Sequence, residues 1–168
     1  GQRLRFRSGA VIAAPAWFTA RLPAQPLDGE LWAGRGQFEA LVGTVRHQQP
    51  DDSAWHAVQY QVFELPGAAG PFAQRAQALQ ALCRQLDWPA LLAVVQAPVA
   101  SRAALQQRLD AVLAAGGEGL VLHRADAPVA SGRGPWLYKH KPLPFTHRGL
   151  TAAGVPRFAS FLRRAGGV

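Results

Sequence analysis

The sequence has 168 residues, of which 49% are hydrophobic and 17% charged, a composition typical of one globular domain with at most a small appendage and not of a disordered chain. Its single cysteine, Cys83, excludes an internal disulfide, has no metal-site spacing and lies on an apolar helical face, where a packed core thiol is expected. No apolar run is long enough to span a bilayer, and the net charge of +8 at pH 7 predicts a polyanionic partner.

The chain begins with a strictly alternating segment. Arginines take its odd positions and apolar residues its even positions, namely Arg3, Arg5, Arg7, Leu4 and Phe6. Alternate residues of a strand share a face, so this pattern predicts a half-buried strand with a basic outer face. A turn at Ser8-Gly9 and a second short strand are expected to follow.

Two segments further along each allow a structural and a functional interpretation. Asp28-Gly29 suits a plain turn, but Glu30 could instead be a carboxylate that faces a site from the start of a strand. Phe63 lies near the end of a strand predicted over residues 55–65, where it either packs in the core or stacks on a base. Aromatic residues usually pack, so composition alone favours the core for Phe63.

Helices separate the remaining strands. The spacing of apolar residues predicts helices over residues 37–47 and 71–87, and the second of these begins at a proline. A buried strand is predicted over residues 91–95. A third helix is expected to begin after Ser101, as its N-cap, and to end at Gly116-Gly117. Strands and helices that do not alternate regularly favour the α+β class.

The residues best suited to chemistry lie between Glu118 and Lys141. Residues 117–123 and 136–142 both predict short strands, joined by a loop rich in Pro, Gly and Ser. Lys139 and Lys141 share a face of their strand, and Glu118 could face the same cleft if the strands are neighbours. A carboxylate that can hold a divalent cation beside two ammonium groups suits a polyphosphate. These are the only lysines among 18 basic residues, although solvated edge-strand lysines remain the structural alternative.

Acidic residues are confined to the middle of the chain. All ten Asp and Glu lie between Asp28 and Asp126, so both ends are purely basic. Basic ends around a mixed middle predict contacts with nucleic acid phosphates, because solubility alone does not require this segregation. Residues 143–168 continue the basic pattern with interleaved aromatic residues and are too few to form a core of their own.

Five segments in the order and spacing found in ATP-dependent DNA ligases resemble that family, specifically its small bacterial type, over nearly the whole chain. Residues 6–9 are similar to the Arg-x-Gly segment that follows the nucleophile motif. Residues 27–31 resemble the acidic motif III, and residues 62–75 motif IIIa, whose aromatic residue stacks on adenine. Residues 118–122 resemble motif IV, whose glutamate serves a divalent metal, and residues 138–142 resemble motif V, whose lysines hold the α-phosphate.

The resemblance implies the α+β fold of the DNA ligase and mRNA-capping nucleotidyltransferases, with two antiparallel sheets flanked by helices. It implies that Lys139 and Lys141 are catalytic and that Glu30 and Glu118 hold Mg²⁺ or Mn²⁺. The nucleotide-binding residues that it implies are Arg7, Glu30, Phe63, Glu118, Lys139 and Lys141. The DNA-binding residues expected from the basic ends are Arg3, Arg5, Arg148, Arg157 and Arg163.

The activity implied is the joining of 5′-phosphate and 3′-hydroxyl ends at nicks in duplex DNA, during DNA repair, replication and recombination. ATP would adenylate a lysine, AMP would pass to the 5′-phosphate, and the 3′-hydroxyl would then displace AMP. Metal ions and paired lysines neutralise charge on phosphoryl oxygens in such reactions. We expect nicked duplex DNA as the partner, a monomeric protein and no membrane association.

The chain departs from the family pattern in two respects. The family's nucleophile lies in a Lys-x-Asp-Gly motif before the Arg-x-Gly segment, and this lysine is absent from the sequence that begins at Gly1. We therefore expect no self-adenylation of the chain by itself. Family members also carry an oligonucleotide-binding (OB) barrel after motif V. We expect residues 1–142 to form an N-terminally incomplete adenylation domain and residues 143–168 a remnant of that barrel.

Three other interpretations are compatible with the same residues. An RNA ligase or an mRNA-capping guanylyltransferase would keep the fold and change the substrate. A non-catalytic nucleic-acid-binding remnant would account for the charge alone, and a soluble α+β domain would leave the lysines without a function. A bacterial cytoplasmic or periplasmic location is equally compatible with the sequence.

Overall fold

The computed structural model describes residues 2–130, 132, 134–142 and 150–153, and the backbone of residues 145–146 and 160–161. Its helices are α1 (Ala16–Ala20), α2 (Phe38–Arg46), α3 (Asp52–Trp55), α4 (Phe72–Leu86) and α5 (Arg102–Ala114). Its strands are β1 (Asp28–Trp32), β2 (Gln59–Glu64), β3 (Leu91–Ala93), β4 (Leu120–His123), β5 (Leu137–His140), β6 (Phe145–Thr146) and β7 (Ser160–Phe161). The chain forms two compact units, one of Gly1–Val99 with His123–Leu137, the other of Ala100–Leu122 with Tyr138–Val168.

A three-stranded sheet in the order β1-β2-β3 is the centre of the first unit. β1 pairs with β2 antiparallel, with Glu30 opposite Gln61 and Leu31 opposite Tyr60. β3 pairs with β2 in parallel, with Tyr60 opposite Leu91. A parallel neighbour needs a crossover connection, and α4 supplies it between β2 and β3. The sheet is therefore mixed, where the sequence led us to expect antiparallel pairing throughout.

Alternation along β2 separates a buried face of this sheet from an open one. Tyr60 and Val62 are buried, whereas Gln59, Gln61 and Phe63 are only half-buried. The buried face continues into a core of aromatic and aliphatic side chains around Phe18, which is inaccessible to solvent. Its ring makes edge-to-face contacts with two tryptophans, Trp55 and Trp88, at centroid distances of 5.0 and 4.9 Å.

The long helix α4 confirms the strongest helix prediction. Pro71 immediately precedes it, and Asp87 ends it in the left-handed conformation with φ 42°. Cys83 lies on its buried side, as expected for a core thiol, and burial raises the pKa of that thiol.

Several local features differ from, or go beyond, the predictions made from the sequence. The strand predicted over residues 55–65 begins only at Gln59, because Trp55 ends the short helix α3, whose N-cap Asp51 accepts a hydrogen bond from the Ser53 N–H at 2.8 Å. The five-residue helix α1 lies in a segment for which no helix or strand was predicted. Asp28-Gly29 is part of strand β1, which decides against the plain turn and for the alternative in which Glu30 lies near the start of a strand.

The second unit contains α5 and most of β4 and β5, which pair in a two-stranded sheet. Its helix begins as predicted, since Ser101 Oγ accepts a hydrogen bond from the Ala104 N–H at 3.1 Å. β4 and β5 lie within the two strands predicted over residues 117–123 and 136–142, and they are neighbours in one sheet, which was the condition for placing Glu118 near the lysines. Among the described residues, no helix has both the length and the apolar character needed to cross a membrane.

Candidate active site

Two of the predicted nucleotide-binding residues, Glu30 and Phe63, lie on the same open face of the first unit's sheet. Glu30 is opposite Gln61 across the β1–β2 pair, and Phe63 is two residues beyond Gln61 on the same strand. Residues opposite one another and residues two apart share a face, so the carboxylate and the ring project to the same side. Glu30 is exposed and Phe63 is half-buried, so both can meet a ligand.

Gly29 makes this arrangement possible by its close approach to β2. A Cβ at this position would meet the Gln61 carbonyl oxygen and would lie 2.8 Å from Val62 Cα, a contact that real side chains do not make. The pairing register also shifts between Asp28 and Gly29. The Asp-Gly-Glu sequence therefore reflects the packing of β1 on β2, with the glycine needed for close approach.

Arg7 lies on a tight turn of the first unit. Residues 4–12 form a minimal hairpin joined by a single β-bridge between Arg5 and Val11, in place of the two short strands that were predicted. The Gly9 N–H donates to the Phe6 carbonyl at 2.8 Å, and Gly9 has φ +89°. Arg7 is exposed at the tip, and Arg3 and Arg5 are exposed as well, so the alternating arginines face solvent as predicted although no regular strand forms. Arg5 is also tied to the turn, because its Nη1 donates to the Gly9 carbonyl at 2.9 Å.

An ion pair with a fully buried guanidinium follows Phe63 directly. Both of its residues lie in the segment that resembles motif IIIa, but the sequence analysis gave them no role of their own. The guanidinium of Arg75, which is 0% exposed, donates from Nε and Nη2 to the two carboxylate oxygens of Glu64 at 2.8 and 2.7 Å. Burial by itself raises the pKa of Glu64, but the hydrogen bonds from Arg75 and the Leu65 N–H, with the charge of Arg75, outweigh it and lower that pKa below its ordinary value.

A signal for this pair was present in the sequence. The buried positions of α4 recur at helical spacing, and a charged residue occupies one of them: Phe72, Arg75, Ala76, Leu79 and Cys83. A charged residue on an apolar stripe predicts a buried partner, because a buried charge without one is very costly.

The other predicted residues belong to the second unit. Lys139 is exposed on β5, and Lys141 is half-buried directly after it. Gly119 lies against this strand, because a Cβ there would be 2.6 Å from both the His140 carbonyl oxygen and Lys141 Cβ. The glycine thus permits a close approach between residue 119 and Lys141. Glu118 is the residue directly before this contact. Glu118 is exposed and already has an interaction partner within the protein.

The donors present fit a magnesium ion held mainly by phosphate and water. Within the part of the chain that the structure describes, no three His, Cys, Asp or Glu side chains gather as a metal site. Mg²⁺ is typically bound through one or two carboxylates, with substrate phosphates and water completing its coordination. Single exposed carboxylates such as Glu30 and Glu118 satisfy that requirement. Three predicted DNA-binding residues, Arg148, Arg157 and Arg163, lie outside the described residues.

The known proteins that this chain resembles in sequence or structure are DNA ligases. No protein-family model matches the sequence. A DNA ligase of Haemophilus influenzae is 29% identical over 141 residues, which cover 84% of this chain and 52% of that protein, so the chain spans about half the length of this curated relative. A solved Lig E DNA ligase, studied for DNA binding with a minimal scaffold, is 30% identical with a TM-score of 0.77, and the match covers 96% of this chain and 85% of that one.

A second solved structure, the chlorella virus DNA ligase-adenylate, is similar in fold. Its TM-score is 0.70 at 17% identity, and the match covers 86% of this chain and 58% of the viral chain.

Proposed function

The chain belongs to the family of ATP-dependent DNA ligases and has their nucleotidyltransferase fold, and from this premise we propose that it works in the joining of 5′-phosphate and 3′-hydroxyl ends at nicks in duplex DNA. The family's reaction adenylates a lysine with ATP, passes AMP to the 5′-phosphate, and releases AMP when the 3′-hydroxyl attacks. Each step transfers a phosphoryl group, so the residues that matter are those that position it and neutralise its charge.

The common face of Glu30 and Phe63 is the observation that carries this proposal. An exposed carboxylate and an aromatic ring on one side of a sheet can contact the polar and the flat parts of one nucleotide. Phe63 would stack on the adenine ring, an interaction worth about 1–3 kcal/mol per base. Glu30 would serve the sugar and the metal, and Arg7 on its exposed turn would reach a phosphate.

The second unit supplies the residues proposed for phosphate chemistry. Lys139 and Lys141 would contact the α-phosphate, where two ammonium groups stabilise the charge that develops on the phosphoryl oxygens. Glu118 and Glu30 are each proposed as a ligand of Mg²⁺ or Mn²⁺, an ion that when bound would supply positive charge for phosphoryl transfer. Because Lys donates from a compact point charge, replacing it by the planar guanidinium of Arg should not preserve this contact.

DNA would bind through phosphate contacts with little sequence preference. Arg3 and Arg5 are exposed at the start of the basic hairpin, and Arg148, Arg157 and Arg163 are proposed to act with them. We also propose a monomer that acts in DNA repair, replication and recombination. Residues 1–142 would form the adenylation domain and residues 143–168 the OB-fold remnant.

Nucleotide binding by the 168-residue chain tests the proposal. Calorimetric titration with ATP and magnesium should give saturable binding, weakened about tenfold or more by Phe63→Ala, in line with the loss of one stacked base. Lys139→Ala should weaken binding and should also reduce the sealing of a nick that already carries AMP. Phe38→Ala and Arg46→Ala, which remove an exposed ring and an exposed positive charge from α2, are the matched controls and should change neither result.

Titrations with GTP, nicked RNA and nicked DNA beside ATP separate the alternatives. A guanylyltransferase would prefer GTP to ATP, and an RNA ligase would bind nicked RNA in preference to nicked DNA. A charge-driven nucleic-acid-binding protein would respond to Lys139→Ala and Arg46→Ala alike. Absence of ATP binding by the unaltered chain would contradict the proposal.

A further inference from the structure

Arg75 is the one charged side chain that is fully buried among the residues the structure describes. Four of its five N–H groups have acceptors. Two go to Glu64, and the two on Nη1 go to the carbonyl oxygens of Gly70 at 2.7 Å and Ala127 at 3.0 Å. A lysine could not reproduce this set, because its donors leave from a single nitrogen atom.

This guanidinium joins three segments of the first unit. Glu64 ends β2, Gly70 lies in the loop before α4, and Ala127 lies in the segment after β4. The first turn of α4 reinforces the same junction, since the Phe72 N–H donates to the Ala127 carbonyl and the Ala73 N–H to the Ala125 carbonyl, each at 2.9 Å.

The junction acts directly on the backbone next to Phe63. The Glu64 carboxylate receives both bonds from Arg75, and its Oε1 also accepts from the Leu65 N–H at 2.8 Å. The side chain that follows Phe63 is therefore held by Arg75 and by the backbone of the next residue at once. Phe63 itself lies on the open face, where a shift of the strand end would tilt its ring.

Stability alone does not account for a pair of this kind. Replacing a buried ion pair with apolar residues of similar volume is often neutral or stabilising, because two charges must lose their water. The pair provides two directional hydrogen bonds, which fix the orientation of the Glu64 carboxylate. An apolar contact would not fix it.

We propose that Arg75 is a positioning residue, which acts through Glu64 to hold Phe63 in the orientation that stacks on the adenine ring. The inference rests on the proposed binding of ATP. Arg75 cannot touch the nucleotide itself, since its side chain has no exposed surface. Its effect should therefore fall on recognition of the base and leave recognition of the phosphates intact.

Arg75→Lys, which keeps the charge and removes the fork, is the test. Affinities for ATP and for inorganic tripolyphosphate are measured with magnesium on the full 168-residue chain. Affinity for ATP should fall about tenfold, the loss of a stacked base, while affinity for tripolyphosphate stays unchanged. In a Phe63→Ala background the same substitution should cost ATP binding little more, because the ring that it positions is gone.

Arg124→Lys is the matched control. Arg124 makes the same two-bond fork, from Nε and Nη2 to the carboxylate of Asp126, but this ion pair is exposed. The control should leave both affinities unchanged. If Arg75→Lys does not fold, Glu64→Asp keeps the charges and shortens the carboxylate arm, and a smaller loss confined to ATP is expected.

The remaining outcomes would contradict either the positioning role of Arg75 or the proposed nucleotide site. Equal losses for ATP and tripolyphosphate, or a full additional loss in the Phe63→Ala background, would make Arg75 a structural brace and overturn the positioning role alone. If the unaltered chain binds tripolyphosphate but shows no preference for ATP, the proposed nucleotide site is wrong, and the positioning role falls with it.

Discussion

Tyr60 shows at the scale of one residue how the sheet's buried face controls ionisation. Its ring lies in the core at 9% exposure, and its hydroxyl donates to the Leu27 carbonyl oxygen at 3.0 Å. Burial, followed by the nearby charge of Asp28, raises the pKa of Tyr60 from 10.0 to about 12. Because the folded-state pKa is the higher one, the neutral hydroxyl stabilises the fold fully below pH 10, and this contribution disappears as the pH rises through about 12.

Tyr60→Phe should therefore remove part of the alkaline loss of stability. At neutral pH the variant should lose about 1 kcal/mol, the typical value of one hydrogen bond, and its unfolding free energy should fall less steeply than that of the unaltered chain as the pH rises from 10 to 12. Denaturant unfolding across this range is the measurement. In Tyr138→Phe, the one remaining tyrosine should ionise with a midpoint of about 12, and a midpoint at 10 would contradict the assignment.

At the scale of elements, two glycines on different elements should respond oppositely to the same substitution. Gly119→Ala would place a Cβ 2.6 Å from the His140 carbonyl oxygen and from Lys141 Cβ, so β4 and β5 would have to separate. We expect a loss of about 1–3 kcal/mol of stability, as for other overpacked positions. Gly43, inside α2, has open space around its Cα, and Gly43→Ala should gain roughly 0.5–1 kcal/mol.

Denaturant unfolding of the two variants beside the unaltered chain measures both effects. Equal stabilities for Gly119→Ala and the unaltered chain would mean that the two strands tolerate a wider separation. A destabilised Gly43→Ala would mean that the helix surface is more crowded than the structure shows.

The two long helices, which have an apolar stripe and a residue that marks their N-terminus, could be predicted from the sequence. The two shortest helices could not. α4 and α5 each combine at least three turns with a clear N-terminal signal at Pro71 or Ser101. α1 and α3 have five and four residues, too few for helical periodicity to register, and their positions depend on core contacts of Phe18 and Trp55. The parallel pairing of β3 is a tertiary outcome, and the apolar pattern of one strand does not specify its direction.

Site residues could be predicted where a motif carried them and not where the fold created them. Glu30 and Phe63 were predicted separately, and the register of β1 on β2 brings them to one face. The fork between Arg75 and Glu64 spans 11 positions of sequence, so its partners are joined only when α4 packs against β2. Pattern reasoning finds the residues that touch a ligand more easily than those that support them.

At the scale of the whole molecule, the segregated charge should govern how the chain meets DNA. The net charge is +8, and the first 21 residues carry four arginines without an acid. Each phosphate that a cation neutralises releases condensed counterions. The logarithm of the affinity for duplex DNA should therefore fall linearly with the logarithm of the salt concentration, with a slope of roughly −0.9 per contact. Arg3, directly before the hairpin, and Arg5, within it, are both exposed and should each contribute one such contact.

The double substitution Arg3→Gln and Arg5→Gln should therefore weaken binding and reduce the magnitude of the salt slope by about two contacts. The matched control removes the same charge from the mixed middle of the chain, by Arg46→Gln and Arg84→Gln on exposed helical positions. If DNA binding depended only on the net charge of the chain, both double variants would reduce the magnitude of the salt slope equally. If only the variant with Arg3→Gln and Arg5→Gln has a salt slope of smaller magnitude, the DNA backbone lies against this part of the chain. Counterion release counts only those cations that lie next to phosphates.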